Sequence, residues 1–174
     1  MKISVFIGTS VDGFIARKNG GLDWLPADGG EPHGYDEFFA SVDALVIGRK
    51  TFETVLAYDV WPYGKKLVIV LSTQLKELKV PEGAECELMG GPPAEVVARL
   101  AERGVRHIYV DGGATIRGFL DAGLIQNLTI TRVPVLIGNG VPLFGTLLHD
   151  IRLEHVGTQA YPSGLVKSEY RVLP

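Results

Sequence analysis

Several things are scarce in this chain of 174 residues, and each shortage excludes a class of protein. There is one cysteine, Cys86, so no disulfide can close within the chain, which suits a reducing cytoplasm. No run of Lys or Arg stands out: 17 basic residues face 20 acidic ones, giving a net charge of −3 and a pI near 5.8. A general nucleic-acid binder, or a protein seated on an anionic membrane, would be expected to carry a basic surface, so neither partner is expected. No apolar segment approaches the ~20 residues that span a bilayer. The opening stretch MKISVFIGTSVDGF has one Lys and a short apolar run, but Asp12 interrupts it and no small-residue cleavage site follows. It reads as a buried first strand, and the expectation is a soluble, cytoplasmic protein.

Motifs are missing as well. There is no G-x-G-x-x-G after a strand, no Walker A sequence and no G-x-S-x-G elbow. The four histidines, His33, His107, His149 and His155, form no close pair. His149 and His155 could share a strand face, but six extended residues would separate them by ~20 Å. No catalytic metal is expected, and each histidine reads as structural or solvated.

What is present describes a packed α/β domain. Apolar residues make up 46% and charged residues 21%, a balance that excludes disorder. The length suits one domain, residues 1–174, burying roughly 70% of its unfolded surface. Short runs rich in Val and Ile, at Ile3–Gly8, Ala44–Gly48, Leu67–Leu71 and His107–Val110, look like strands buried on both faces. Helical spacing lies between them, in Tyr35, Phe38, Phe39 and Val42, and again in Val96, Val97, Leu100 and Ala101 after Pro92-Pro93. Ile116, Phe119 and Leu120 mark a third helix, and Thr51–Leu56 a short one. Alternating strands and helices imply a mostly parallel sheet. Near the end, Leu124–Val133 and Ile151–Ala160 read as strands, and the turn Tyr161-Pro162-Ser163-Gly164 leads into Leu165–Leu173. This is an antiparallel hairpin, so the sheet should be mixed.

Glycine is abundant, 22 residues, and it concentrates in loops that follow strands, where ligands sit in open α/β sheets. Two strand-to-helix turns matter most: Val46-Ile47-Gly48-Arg49-Lys50-Thr51 and Val110-Asp111-Gly112-Gly113-Ala114-Thr115-Ile116. In each, glycine permits close backbone approach, and a helix start points free N–H groups and its positive dipole end outward. Two such turns can clamp a dinucleotide; the plainer reading is a glycine turn with solvated cations.

Taken together, Thr9 to Ala16, Leu22-Asp23-Trp24-Leu25, Val46 to Glu53, Leu71-Ser72-Thr73, Asp111 to Ala114 and Gly138 to Phe144 resemble the dihydrofolate-reductase superfamily. They are particularly similar to stand-alone relatives of the reductase domain of the bifunctional riboflavin-biosynthesis enzyme (the RibD C-terminal domain), over nearly the whole chain. The resemblance implies a dihydrofolate-reductase-like fold and an NADPH-dependent reductase. Arg49 and Lys50 would face the 2′-phosphate, with Thr51 at the helix start after Gly48, and Ser72 and Thr73 would complete that pocket. Gly112, Gly113, Ala114, Thr115 and Ile116 would hold the pyrophosphate. Ile15, Ala16 and Trp24 would lie in the loop over the nicotinamide. Such a reductase also needs a proton source, for which Asp111, Asp36 and Asp28 are the candidates, Asp111 first.

The implied substrate is a pteridine- or pyrimidine-like small molecule, such as the ribosylaminopyrimidine intermediate of riboflavin synthesis. Dihydrofolate is the enzymatic alternative, and a non-catalytic NADP-binding protein the alternative from another class. The H-x-E and P-C-x-x-C motifs of the bifunctional enzyme's zinc deaminase domain do not occur in these residues, and no distinct basic cluster for a ribose phosphate is obvious. A homodimer is expected through the C-terminal hairpin, where Val166, Tyr170 and Val172 give one strand an apolar face.

Overall fold

The apolar opening stretch forms strand β1 (Lys2–Ser10), which lies inside the sheet and not at its edge. The computed structural model describes residues 1–174. On one side of β1 runs β6 (His107–Asp111) and on the other β7 (Asn127–Val133), both parallel to it. Beyond β6 the parallel order continues through β3 (Ala44–Gly48), β4 (Leu67–Leu71) and β5 (Glu85–Met89). Beyond β7, strands β10 (Val166–Val172) and β9 (Leu153–Ala160) pair antiparallel. A separate small ribbon joins β2 (Phe14–Ala16) to β8 (Val141–Pro142). The expected mixed, mostly parallel sheet with a C-terminal antiparallel pair is therefore present.

Four helices cover the sheet. On one face α3 (Pro93–Glu102) and α4 (Gly113–Asp121) bury Val96, Leu100, Ile116, Phe119 and Leu120 against Ile3, Val5, Val46 and Ile108. On the other, α1 (Tyr35–Ser41) and α2 (Arg49–Leu56) pack Phe38, Phe39, Phe52 and Val55 against Phe6, Leu45, Ile47 and Tyr109. Strand β3 shows why its sequence carries no alternation: all of Ala44–Ile47 is fully buried because both faces are covered. His107 is structural, its Nε2 paired with the Ser4 hydroxyl at 2.9 Å between neighbouring strands.

Some boundaries differ from expectation. Helix α2 begins at Arg49 rather than Thr51, so both cations belong to its first turn. Strand β5 escapes the sequence reading because it is an edge strand carrying Glu85 and Glu87; β2 and β8 are too short to leave a pattern. The apolar face of β10 is also not free, since Tyr170 and Val172 pack on the α3–α4 side of the core. No helix is long and apolar enough to cross a membrane, and no three His, Cys, Asp or Glu side chains gather as a metal site.

Candidate active site

Strands β3 and β6 are neighbours, yet the chain leaves them in opposite directions: from β3 outward to β4, from β6 past β1 to β7. Helix α2 consequently lies on one face and α4 on the other, and the crevice between their starts opens at the carboxyl ends of the strands. The two glycine turns interlock there. A Cβ on Gly112, whose φ is +94°, would stand 2.5 Å from the Thr51 hydroxyl, and one on Gly48 would stand 3.0 Å from the Thr115 hydroxyl. Each turn lacks a side chain where the other places a threonine.

Neither helix has a side-chain cap or an acidic residue in its first turn. Instead, α2 begins with Arg49 and Lys50, cations set against the positive end of their own helix, a locally unfavourable arrangement. Glu53 partly offsets it by accepting from the Arg49 guanidinium at 2.9 Å. Arg117 of α4 approaches the same region and donates to the Pro142 carbonyl at 3.4 Å. Free N–H groups, glycine cradles and only partly offset positive charge fit a phosphate-bearing dinucleotide.

From these helix starts the cleft extends past Ile15 and Ala16 to Leu25, His33, Thr131 and Leu165, with a volume of about 1360 Å³. Drug-sized pockets hold roughly 300–1,000 Å³, so there is room for a dinucleotide and a second molecule beside it. The Thr131 hydroxyl is buried at the far end without a partner.

Asp111 ends β6 inside this cleft. Its Oδ1 accepts from the Gly112 N–H at 2.7 Å, and no cation pairs with it. Burial, only partly opposed by that hydrogen bond, pushes its pKa up to about 6. The other two candidate carboxylates lie outside the cleft. Asp28 is exposed and accepts from the Gly30 N–H at 3.0 Å, holding its own loop. Asp36 is exposed on α1.

Of the residues expected around a cofactor, Ile15, Ala16, Gly48, Arg49, Lys50, Thr51, Gly112, Gly113, Ala114 and Thr115 line the cleft together. Four do not. Trp24 is packed with Val133 and Leu165 in a small core of its own. Ile116, on α4, is wholly buried against the sheet. The Ser72 hydroxyl is occupied by the N–H groups of Gln74 and Leu75, both at 3.1 Å, and neither Ser72 nor Thr73 reaches the lining, which stops at Leu71.

Sequence reasoning missed four tyrosines, Tyr35, Tyr58, Tyr63 and Tyr109, which line the cleft with Asp111. Only Tyr109 leaves a local trace, since two residues before Asp111 on a strand means the same face. The others arrive by packing of distant segments.

A crevice at a switch point, flanked by interlocked helix starts and one half-buried carboxyl, places the chain among dihydrofolate-reductase-like α/β proteins. The dihydrofolate reductase of Enterococcus faecalis, complexed with NADP(H) and RAB-propyl, shares the fold at a TM-score of 0.70, covering 99% of this chain and 97% of its own, with 20% identity. The chain belongs to the RibD C-terminal domain family, whose model matches residues 1–167. A Shewanella sp. PV-4 protein provisionally assigned to riboflavin biosynthesis matches over 100% of both chains, with 37% identity and a TM-score of 0.91. The Bacillus subtilis protein YwjB, itself uncharacterised, is 31% identical over 169 residues, 92% of each chain.

Proposed function

We propose that the protein is an NADPH-dependent reductase of a pteridine- or pyrimidine-like heterocycle. The carrying observation is Asp111: a half-buried carboxyl lining the cleft beside two helix starts built for phosphate, raised in proton affinity to about 6. When bound, NADPH supplies hydride to carbon. The N–H groups at the starts of α2 and α4 hold its pyrophosphate, and Arg49 and Lys50 meet the 2′-phosphate, where a bidentate guanidinium suits a near-dianion. Ile15 and Ala16 wall the nicotinamide side. Asp111, fixed through Oδ1, orients the heterocycle and gives the ring nitrogen its proton, directly or through one water.

Family membership and the Shewanella relative favour the ribosylaminopyrimidine of riboflavin synthesis, 5-amino-6-(5-phosphoribosylamino)uracil, as first candidate, with dihydrofolate second. The same reading includes a cytoplasmic homodimer, supported by the lone Cys86 and the exposed edge strand β9. The test is NADPH oxidation followed with each candidate substrate. Turnover of one of them supports the reading. NADPH binding with no turnover of any heterocycle would make this a nucleotide-binding protein, and no NADPH binding would overturn the proposal outright.

A further inference from the structure

The tyrosines around Asp111 have no part in the reaction described so far. Tyr109 is committed: its hydroxyl donates to the Phe6 carbonyl oxygen at 2.9 Å. Tyr35, which opens α1, packs edge-on against Tyr109 with ring centroids 6.5 Å apart and stacks on Phe39 at 5.8 Å. Tyr63, 5% exposed, is wedged between Phe39 at 6.3 Å and Trp61 at 5.2 Å. Both rings are thus fixed by aromatic neighbours, and both line the cleft with Asp111. Unlike that of Tyr109, neither hydroxyl makes a hydrogen bond within the protein. Tyr58 lines the cleft too, but at 44% exposure it belongs to the rim.

Tyr63 is buried and Tyr35 half-buried, and neither hydroxyl is closed off from the cleft or taken by a protein partner. On rings that cannot swing away, both are preorganised to donate to whatever enters. We propose that Tyr35 and Tyr63 are specificity-determining residues which, with Asp111, select a heterocycle bearing a lactam edge, a ring N–H next to a ring C=O. This rests on the reductase reading above. With Oδ1 occupied by Gly112, the Oδ2 of the ionised Asp111, its state above about pH 6, accepts the ring N–H, while the protonated form below that pH is the proton source. The two phenols donate to the carbonyl oxygen. They stay protonated at any physiological pH, because burial first and the neighbouring Asp111 charge second push Tyr35 up to about 12 and Tyr63 higher still. An edge of acceptors alone would set lone pairs against Asp111, and an edge of donors alone would leave the phenol protons unmatched.

Two probes decide it, lumazine (pteridine-2,4-dione), which has the edge, and unsubstituted pteridine, which lacks it. Each is titrated by calorimetry into the full chain saturated with NADPH. The wild type should prefer lumazine by about tenfold or more. Tyr35→Phe and Tyr63→Phe keep the rings and should each weaken lumazine by about two- to tenfold, one neutral hydrogen bond, while leaving pteridine and NADPH affinity unchanged. If Tyr63→Phe loses NADPH binding as well, that variant is misfolded and Tyr35→Phe decides alone. Equal wild-type affinity for the two probes, or undiminished lumazine affinity in the folded variants, overturns the inference while the reductase reading stands. A wild type that binds no NADPH overturns both.

Discussion

At Asp111 a carboxyl gives up water and receives one backbone N–H in return. Its proton affinity therefore lies above that of the unfolded chain, and the sign of the linkage follows. Native protein keeps the proton better, so this position is harmless below about pH 4 and costs stability as pH rises from there to about 6. Asp111→Asn should raise the unfolding free energy at pH 7 by up to about 3 kcal/mol, a shift of some two units at 1.36 kcal/mol each. Urea titrations would show this, with the two proteins converging near pH 4. The same substitution should lower turnover roughly 30- to 1,000-fold, or about 2–4 kcal/mol, with NADPH affinity little changed. In the wild type kcat/KM should decline above about pH 6, as the proton source empties, and the variant's residual rate should lose that limb. Arg49 supports a second expectation at this scale. Arg49→Ala should weaken NADPH at least about tenfold by calorimetry and leave NADH nearly unchanged, since only the 2′-phosphate distinguishes them.

Between the turns after β3 and β6, closeness depends on two missing side chains. Gly112→Ala would drive a Cβ into the Thr51 hydroxyl and hold alanine at positive φ. Gly83→Ala is its control: φ is +76° there, but nothing lies within 4 Å. The control should cost about 1–2 kcal/mol of backbone strain. Gly112→Ala should cost more than that and also weaken NADPH binding, because the helix starts must move apart. Equal losses in urea titrations would mean the interlock contributes nothing. These turns were legible in the sequence because glycine followed by a helix leaves a local mark. Strands β1, β3, β4 and β6 were legible too, as apolar runs covered on both faces. Edge strand β5 was not, since exposure allowed two glutamates. Trp24 misled for a related reason: a loop tryptophan can pack on a lining or beneath it, and its contacts with Val133 and Leu165 are set by a strand and a turn far along the chain. Ser72 looked available until its turn folded back to claim the hydroxyl.

For the molecule as a whole, the sheet ends on one side at β9, where Leu153 is 40% and Val156 53% exposed. An edge of that kind invites another strand. With β10 already covered, the expected homodimer rests on β9, and Val156→Lys should shift it toward monomer in light scattering. A wild-type monomer at micromolar concentration would rule the dimer out.

The central place of β1 carries a different consequence, for the order in which the chain becomes a protein. Strand β1 leaves the ribosome well before its pairing partners and has no lasting strand neighbours until β6 and β7 have been made; Ser4 and its partner His107 lie 103 residues apart. Until then Ile3 and Val5 belong to no core, and folding must close a long loop before any native pairing of β1 rewards it. Folding should accordingly be slow for the size, in the range of milliseconds to seconds, and a chain stopped at Gln126 should show no cooperative urea transition. Synthesis gives β1 before both of its partners, and the fold can use it only after β7.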